Sequence, residues 1–90
     1  MYEYNVFPDA NEEKFQSVCD EVRNLFPQAN QEPLLRDVDG SLVQAYIQHE
    51  KRITVYNDVE IGALYVKSDI PLALGVNTQG DTMLLAQAAN

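Results

Sequence analysis

Two aspartates one residue apart, Asp37 and Asp39 in RDVDGSL (residues 36–42), a lone cysteine, Cys19, and a lone histidine, His49, are the side chains here best suited to chemistry. Carboxylates at that spacing supply the first two oxygen ligands of a calcium loop, or a nucleophile and an acid/base group. The calcium pattern stops there: no third acid or amide precedes Gly40, and no glutamate closes the loop. A cysteine attacks only as thiolate, with a base in hydrogen-bond reach. Cys19 falls in the apolar stripe of an expected helix, where a buried, inert thiol is expected, and His49 falls beside an expected turn. One Cys and one His leave a tetrahedral zinc site short of ligands. Four glycines form no phosphate-cradling run. The expectation is no enzyme, no catalytic residue, no metal and no cofactor.

RDVDGSL also resembles the D-x-D-G-[ST]-L string that opens haloacid dehalogenase-type phosphatases. That resemblance implies Asp37 as phosphoryl nucleophile and Asp39 as acid/base. It covers seven residues. The family needs a larger doubly wound parallel domain, a later lysine and distal carboxylates. After residue 42 this chain continues as an alternating strand, where the family needs a loop and crossover helix. Asp39-Gly40 therefore reads as a turn.

Ninety residues make one domain, residues 1–90, able to bury roughly 60 to 65% of its unfolded surface. At 46% hydrophobic and 22% charged the composition is that of a globular protein. Fourteen acidic residues against six basic ones give a net charge of −8. Phosphate backbones attract basic surfaces, and Lys51-Arg52 is the sole adjacent basic pair, so neither nucleic acid nor an anionic membrane is an expected partner. The acid excess suits solubility or a basic partner. A lone cysteine suits a reducing compartment. The opening MYEYNVF has no basic or apolar leader pattern, and no apolar run approaches the ~20 residues of a span, so a cytoplasmic protein is expected.

The elements that position these residues follow from periodicity. Tyr2, Tyr4 and Val6 alternate with Glu3, Asn5 and Phe7 as a short strand ended by Pro8. Phe15, Val18, Cys19, Val22, Leu25 and Phe26 form one helical stripe, stopped by Pro27. Asp9 with Glu12 makes a capping box; Asn11 is the alternative cap. PQANQEP is a turn-rich connection. Asp39-Gly40 between PLLRDV and SLVQAYIQ signals a hairpin. A two-residue loop pairs Val38 with Ser41 and puts Leu34, Arg36 and Val38 on a face with Val43, Ala45 and Ile47; a three-residue loop puts Leu35 and Asp37 there instead. The first is preferred because it places two apolar residues on that face. His49-Glu50-Lys51 turns the chain into RITVYNDVEIGALYVK, a hairpin expected to bend at Asn57-Asp58. Ile53 and Val55 then share a face with Leu64 and Val66, and Thr54, Tyr56, Val59, Ile61, Ala63 and Tyr65 take the other. Residues 70–76 suggest a short strand, and 81–89 a short helix or a last strand.

These elements predict an α+β fold: one long helix on a four- to five-stranded, mainly antiparallel sheet, β-α-β-β-β plus a C-terminal strand or short helix. The layout resembles the helix-on-curved-sheet plan of cystatin-like domains, in order of elements alone. Both faces of the sheet centre read as apolar, whereas an antiparallel sheet with one wet face alternates apolar and polar. The helix covers one face. The other is expected to carry Tyr46, Tyr56 and Tyr65 together with Ile61, a patch suited to a protein interface. Its expected cover is in part the C-terminal segment with Met83, Leu84 and Leu85, and for the rest a second copy or another protein. The expected function is a small acidic non-catalytic interaction domain that binds a protein partner or forms a homodimer. An inhibitor, immunity or nucleic-acid-mimic protein is one form of it. The alternative is a small-ligand-binding domain or accessory enzyme subunit with a pocket between helix and sheet.

Overall fold

Strand, helix and meander follow one another as the periodicities predict, and the computed structural model describes them over residues 1–72. Strand β1 (Tyr2–Phe7) leads into α1 (Glu12–Leu25), then two short strands, β2 (Asn30–Gln31) and β3 (Leu35–Arg36). Three longer strands close the described chain: β4 (Leu42–Gln48), β5 (Lys51–Asp58) and β6 (Ala63–Ser68). All pairings are antiparallel, in the order β1-β6-β5-β4-β2, with β3 also on β4. This is an α+β fold with six strands among the described residues, rather than four to five. Residues 73–90, and with them most of the expected C-terminal strand and the 81–89 segment, lie outside the described residues.

The extra strand comes from Pro33. Proline brings no N–H to a ladder and belongs on edges or at bulges. Gln31 pairs with Tyr46, yet Leu35 pairs with Val43, so the edge holds one residue more than β4 offers. The bulge splits the edge into β2 and β3 and turns Leu35 to the sheet face away from the helix. Buried Gln44 secures the break by donating to Glu32 C=O, while Gln31 Nε2 donates to Gln44 Oε1 at 3.3 Å.

Three turns set which face each strand presents. The first holds three residues, 38–40: Leu35 pairs with Val43, Asp37 N–H donates to Ser41 C=O (2.9 Å), and Gly40 takes φ +93°. The expected two-residue register is therefore wrong. Its preference rested on counting apolar side chains, whereas Gly40 at positive φ after a type I-like turn fixes a bulged three-residue loop. The second turn holds two residues, His49 and Glu50, at φ 52° and 65°. Lys51 already belongs to β5. The third spans residues 59–62, so Asn57 and Asp58 are strand rather than loop. A four-residue loop preserves the odd–even relation of a two-residue one, so Ile53 and Val55 still face the same way as Leu64 and Val66.

The core forms where α1 crosses this face. Phe15, Val18, Cys19 and Val22 pack on Tyr4, Val6, Leu42, Tyr46, Ile53, Val55, Leu64 and Val66. The helix is capped by Asn11, whose Oδ1 accepts Lys14 N–H at 2.9 Å, and not by Asp9. Asn11 wins because its own backbone N–H is held by buried Asn57 Oδ1 (2.8 Å), which ties the cap to β5. At the other end Phe26 N–H reaches Val22 C=O (2.9 Å) and Pro27 prevents continuation.

Asn57→Ala leaves the part-buried Asn11 N–H without its acceptor and opens a gap where buried Asn57 stood, and is expected to cost about 1–3 kcal/mol. Asn11→Ala loses the cap alone, about 1 kcal/mol. Urea unfolding of both variants measures the order. Glu50→Gly relieves a left-handed non-glycine residue and is expected to raise stability by roughly 0.5–1 kcal/mol in the same measurement.

Candidate functional site

The side of the sheet away from α1 is built by the residues between those of the core. Along β4 they are Val43, Ala45 and Ile47; along β5, Arg52, Thr54, Tyr56 and Asp58; along β6, Ala63, Tyr65 and Lys67. Tyr56 and Tyr65 are directly paired and their rings stack, with centroids 4.8 Å apart and planes 12° from parallel. The Lys67 ammonium lies 5.6 Å from the Tyr56 ring centre and 5.9 Å from that of Tyr65. Tyr65 donates to Asp58 Oδ2 at 3.4 Å. Burial raises the Tyr65 hydroxyl pKa first, and the Asp58 carboxylate adds to it.

Beside this stack lies a groove of about 250 Å³. Val43, Ala45 and Thr54 line its floor, with Tyr56, Leu35 and Pro33 as walls. Ala45 and Thr54 are paired and buried although no element among the described residues crosses above them, because short side chains sit between the long ones of Arg52 and Tyr56. Arg52 and Glu32 mark one end, 3.9 Å apart, Arg52 exposed and Glu32 half-buried. Leu35, 62% exposed, also lines a second depression with Arg36, Asp37, Ser41 and Val43. The groove exists because the Pro33 bulge delivers Leu35 to this side.

The four residues expected to form a patch are only partly brought together. Tyr56 and Tyr65 meet on the open face. Tyr46 does not join them: it is buried under α1, and its hydroxyl donates to Cys19 C=O at 3.4 Å. A three-residue turn at 49–51 would have placed Tyr46 on the Tyr56 side; the two-residue turn reverses it. Ile61 sits in the β5–β6 turn rather than on the sheet, 67% exposed. Leu35, Val43, Ala45 and Thr54 were missed. The signal that could have found them is Pro33 just ahead of an apolar pair, which marks a bulge.

The residues suited to chemistry are dispersed. Cys19 is buried at the helix–sheet contact, and burial pushes its thiol up to about 11, against the lowering effect of the Tyr46 hydroxyl. A thiol held that high is not a nucleophile at neutral pH. His49 is exposed in the β4–β5 turn. Asp37 and Asp39 spend an oxygen each on their own turn, accepting Val38 N–H (2.8 Å) and Ser41 N–H (2.9 Å). Among the described residues no group of three His, Cys, Asp or Glu side chains is placed to hold a metal ion, and no helix is long and apolar enough to cross a membrane. No family model matches the chain, and no curated protein or solved structure matches it.

The folded chain holds the Cys19 proton more tightly than the unfolded chain does, since its pKa moves from 9.0 to about 11. Stability is therefore full below pH 9 and lost as pH rises through 11, by on the order of 2 kcal/mol. Tyr46 and Tyr65 act in the same direction. Melting temperature should fall across that window, less steeply in Cys19→Val. Disulfide reagents near neutral pH should label the native thiol only as fast as the chain opens.

Proposed function

We propose that this chain is a non-catalytic protein-binding domain whose partner contacts lie on the sheet face opposite α1. One observation carries the reading: among the described residues the groove beside Tyr56 is uncovered and mostly apolar, while the helix is committed to the other face. Tyrosine is favoured in such contacts because a large rigid ring adds apolar area at little entropic cost and keeps a hydroxyl for hydrogen bonding. Tyr56 and Tyr65 are already held in one arrangement by stacking and by Lys67, so less freedom is lost on association. Leu35 offers an exposed apolar wall beside them. Partner residues that fit are an apolar side chain for the Ala45–Thr54 floor and a charged one for the Arg52–Glu32 end.

A photo-reactive benzoylphenylalanine in place of Leu35 should yield a discrete protein adduct on irradiation in host-cell extract. The same group in place of Asn24, on the wet side of α1, should not. Ala45→Phe fills the groove floor and should abolish the adduct while circular dichroism stays native. Equal labelling from both positions, or an adduct indifferent to a filled groove in a folded variant, counts against the reading. Sedimentation equilibrium separates self-association, seen as a particle of twice the chain mass, from binding to another protein.

A further inference from the structure

A second surface, at one end of the sheet, does not depend on the groove. There the β3–β4 turn and the β5–β6 turn lie against each other. Ser41 Oγ accepts Val59 N–H at 2.9 Å, joining the two turns directly. Each turn is also closed internally: Gly40 N–H donates to Asp37 C=O at 3.0 Å, and Gly62 N–H donates to Asp58 C=O at 2.8 Å. Asp58 Oδ1 accepts Ile61 N–H at 3.1 Å. Both glycines take positive φ, 93° and 74°, as such turns require.

The side chains that this doubled turn presents are not the ones a turn needs. Gly, Asn, Asp, Ser and Pro satisfy turn geometry. Val38 is fully exposed and Ile61 is 67% exposed, with Val59 less exposed beside them. Val38 and Ile61 bury little apolar surface on folding, so folding gives no account of them. Their setting is acidic: residues 37–41 and 58–62 contain Asp37, Asp39, Asp58 and Glu60 and no Lys or Arg, and the adjoining Arg36 is drawn to Glu12 at 3.4 Å. Three of these acids serve the turns; Glu60 serves none of the turn bonds described above.

We infer that this tip inserts Val38 and Ile61 into an apolar pocket, rimmed by Lys or Arg, on a different protein. Charge selects that occupant. A second copy would bring another four carboxylates and a net −8 against this one, and an anionic lipid surface would repel the tip likewise. A basic rim is attracted by the carboxylates while the two apolar side chains supply the burial. Backbone bonds fix both turns beforehand, which lowers the ordering cost of docking.

The test places benzoylphenylalanine at position 38 or at position 61 of the full chain and irradiates it in host-cell extract. Support requires four results together: an adduct with a protein other than this chain, a fall in yield of about tenfold or more when the untagged partner position is changed (Ile61→Ser or Val38→Ser), a several-fold fall with Asp39→Asn plus Glu60→Gln, and loss in about 1 M NaCl, where screening acts within about 3 Å. The amide that replaces the Asp39 carboxylate keeps an oxygen to accept Ser41 N–H, so that variant alters charge and not the turn. All these side chains are exposed, and unchanged melting temperatures confirm folding. No adduct from either position, a chain–chain adduct, or a yield indifferent to the charge change overturns the inference. An adduct from position 35 that persists in the tip variants leaves the groove reading standing while this one falls.

Discussion

A helix of fourteen residues is about 21 Å long, and a sheet five strands across is about 19 Å wide, so α1 can roof one face of this sheet and no more. Everything else in the molecule is arranged around that limit. On the roofed side the layer is continuous from Tyr4 through Val66, Val55 and Ile53 to Tyr46. On the other side, among the described residues, the sheet shields itself. It does so by stacking Tyr56 on Tyr65, by holding the Lys67 ammonium near both rings, and by using Ala45 and Thr54 where longer side chains would stand in water. Self-shielding leaves gaps between tall and short side chains, and the groove is one such gap.

Polar groups on the roofed side have jobs that an apolar substitute could not do. Asn57 holds the backbone of the helix cap, Gln44 satisfies Glu32 where Pro33 breaks the ladder, and Ser68 Oγ meets both the N–H and C=O of Ile70. Tyr4 accepts Leu72 N–H at 2.6 Å, which anchors the chain as it leaves β6. Each bond falls where the backbone ladder or helix ends, and a buried unpaired backbone group there would cost about as much as a lost hydrogen bond. The exposed ion pairs Arg23–Asp20 and Arg36–Glu12 contribute far less, since solvent screens both.

How far the sequence can be read depends on which symmetry a feature obeys. The stripe from Phe15 to Val22 repeats every three to four residues and is legible to within a residue or two of its cap. The shared face of Ile53 and Val55 with Leu64 and Val66 survives a misplaced loop because only the parity of loop length decides faces, although the register itself shifts. The same rule misleads at His49-Glu50: neither residue advertises positive φ as Gly or Asn would, so the pattern gives one residue too many to the turn and sends Tyr46 to the wrong side. Asp39-Gly40 is legible as a turn but not as a three-residue one, because Gly fits both registers. The groove is illegible for a cumulative reason. It needs the Pro33 bulge, the three-residue turn and the two-residue turn all placed correctly before Leu35, Val43, Thr54 and Tyr56 converge.

Charge then divides the unroofed surface into two kinds of contact. Around the groove both signs are present, Lys67 and Arg52 with Glu32 and Asp58, so attraction there is short-ranged and shape decides it. Within the tip turns acids predominate, with Arg36 at their edge paired to Glu12. Attraction of a basic partner therefore reaches about a Debye length, some 8 Å at physiological salt, before any side chain touches. Leu35, Val43, Asp37 and Ser41 line the depression next to the groove, and Asp37 and Ser41 belong to the turn that carries Val38. A pocket rimmed by Lys or Arg would feel the tip before any contact, whereas a partner at the groove would be held only once its shape fits, because Coulombic attraction steers before apolar burial can hold.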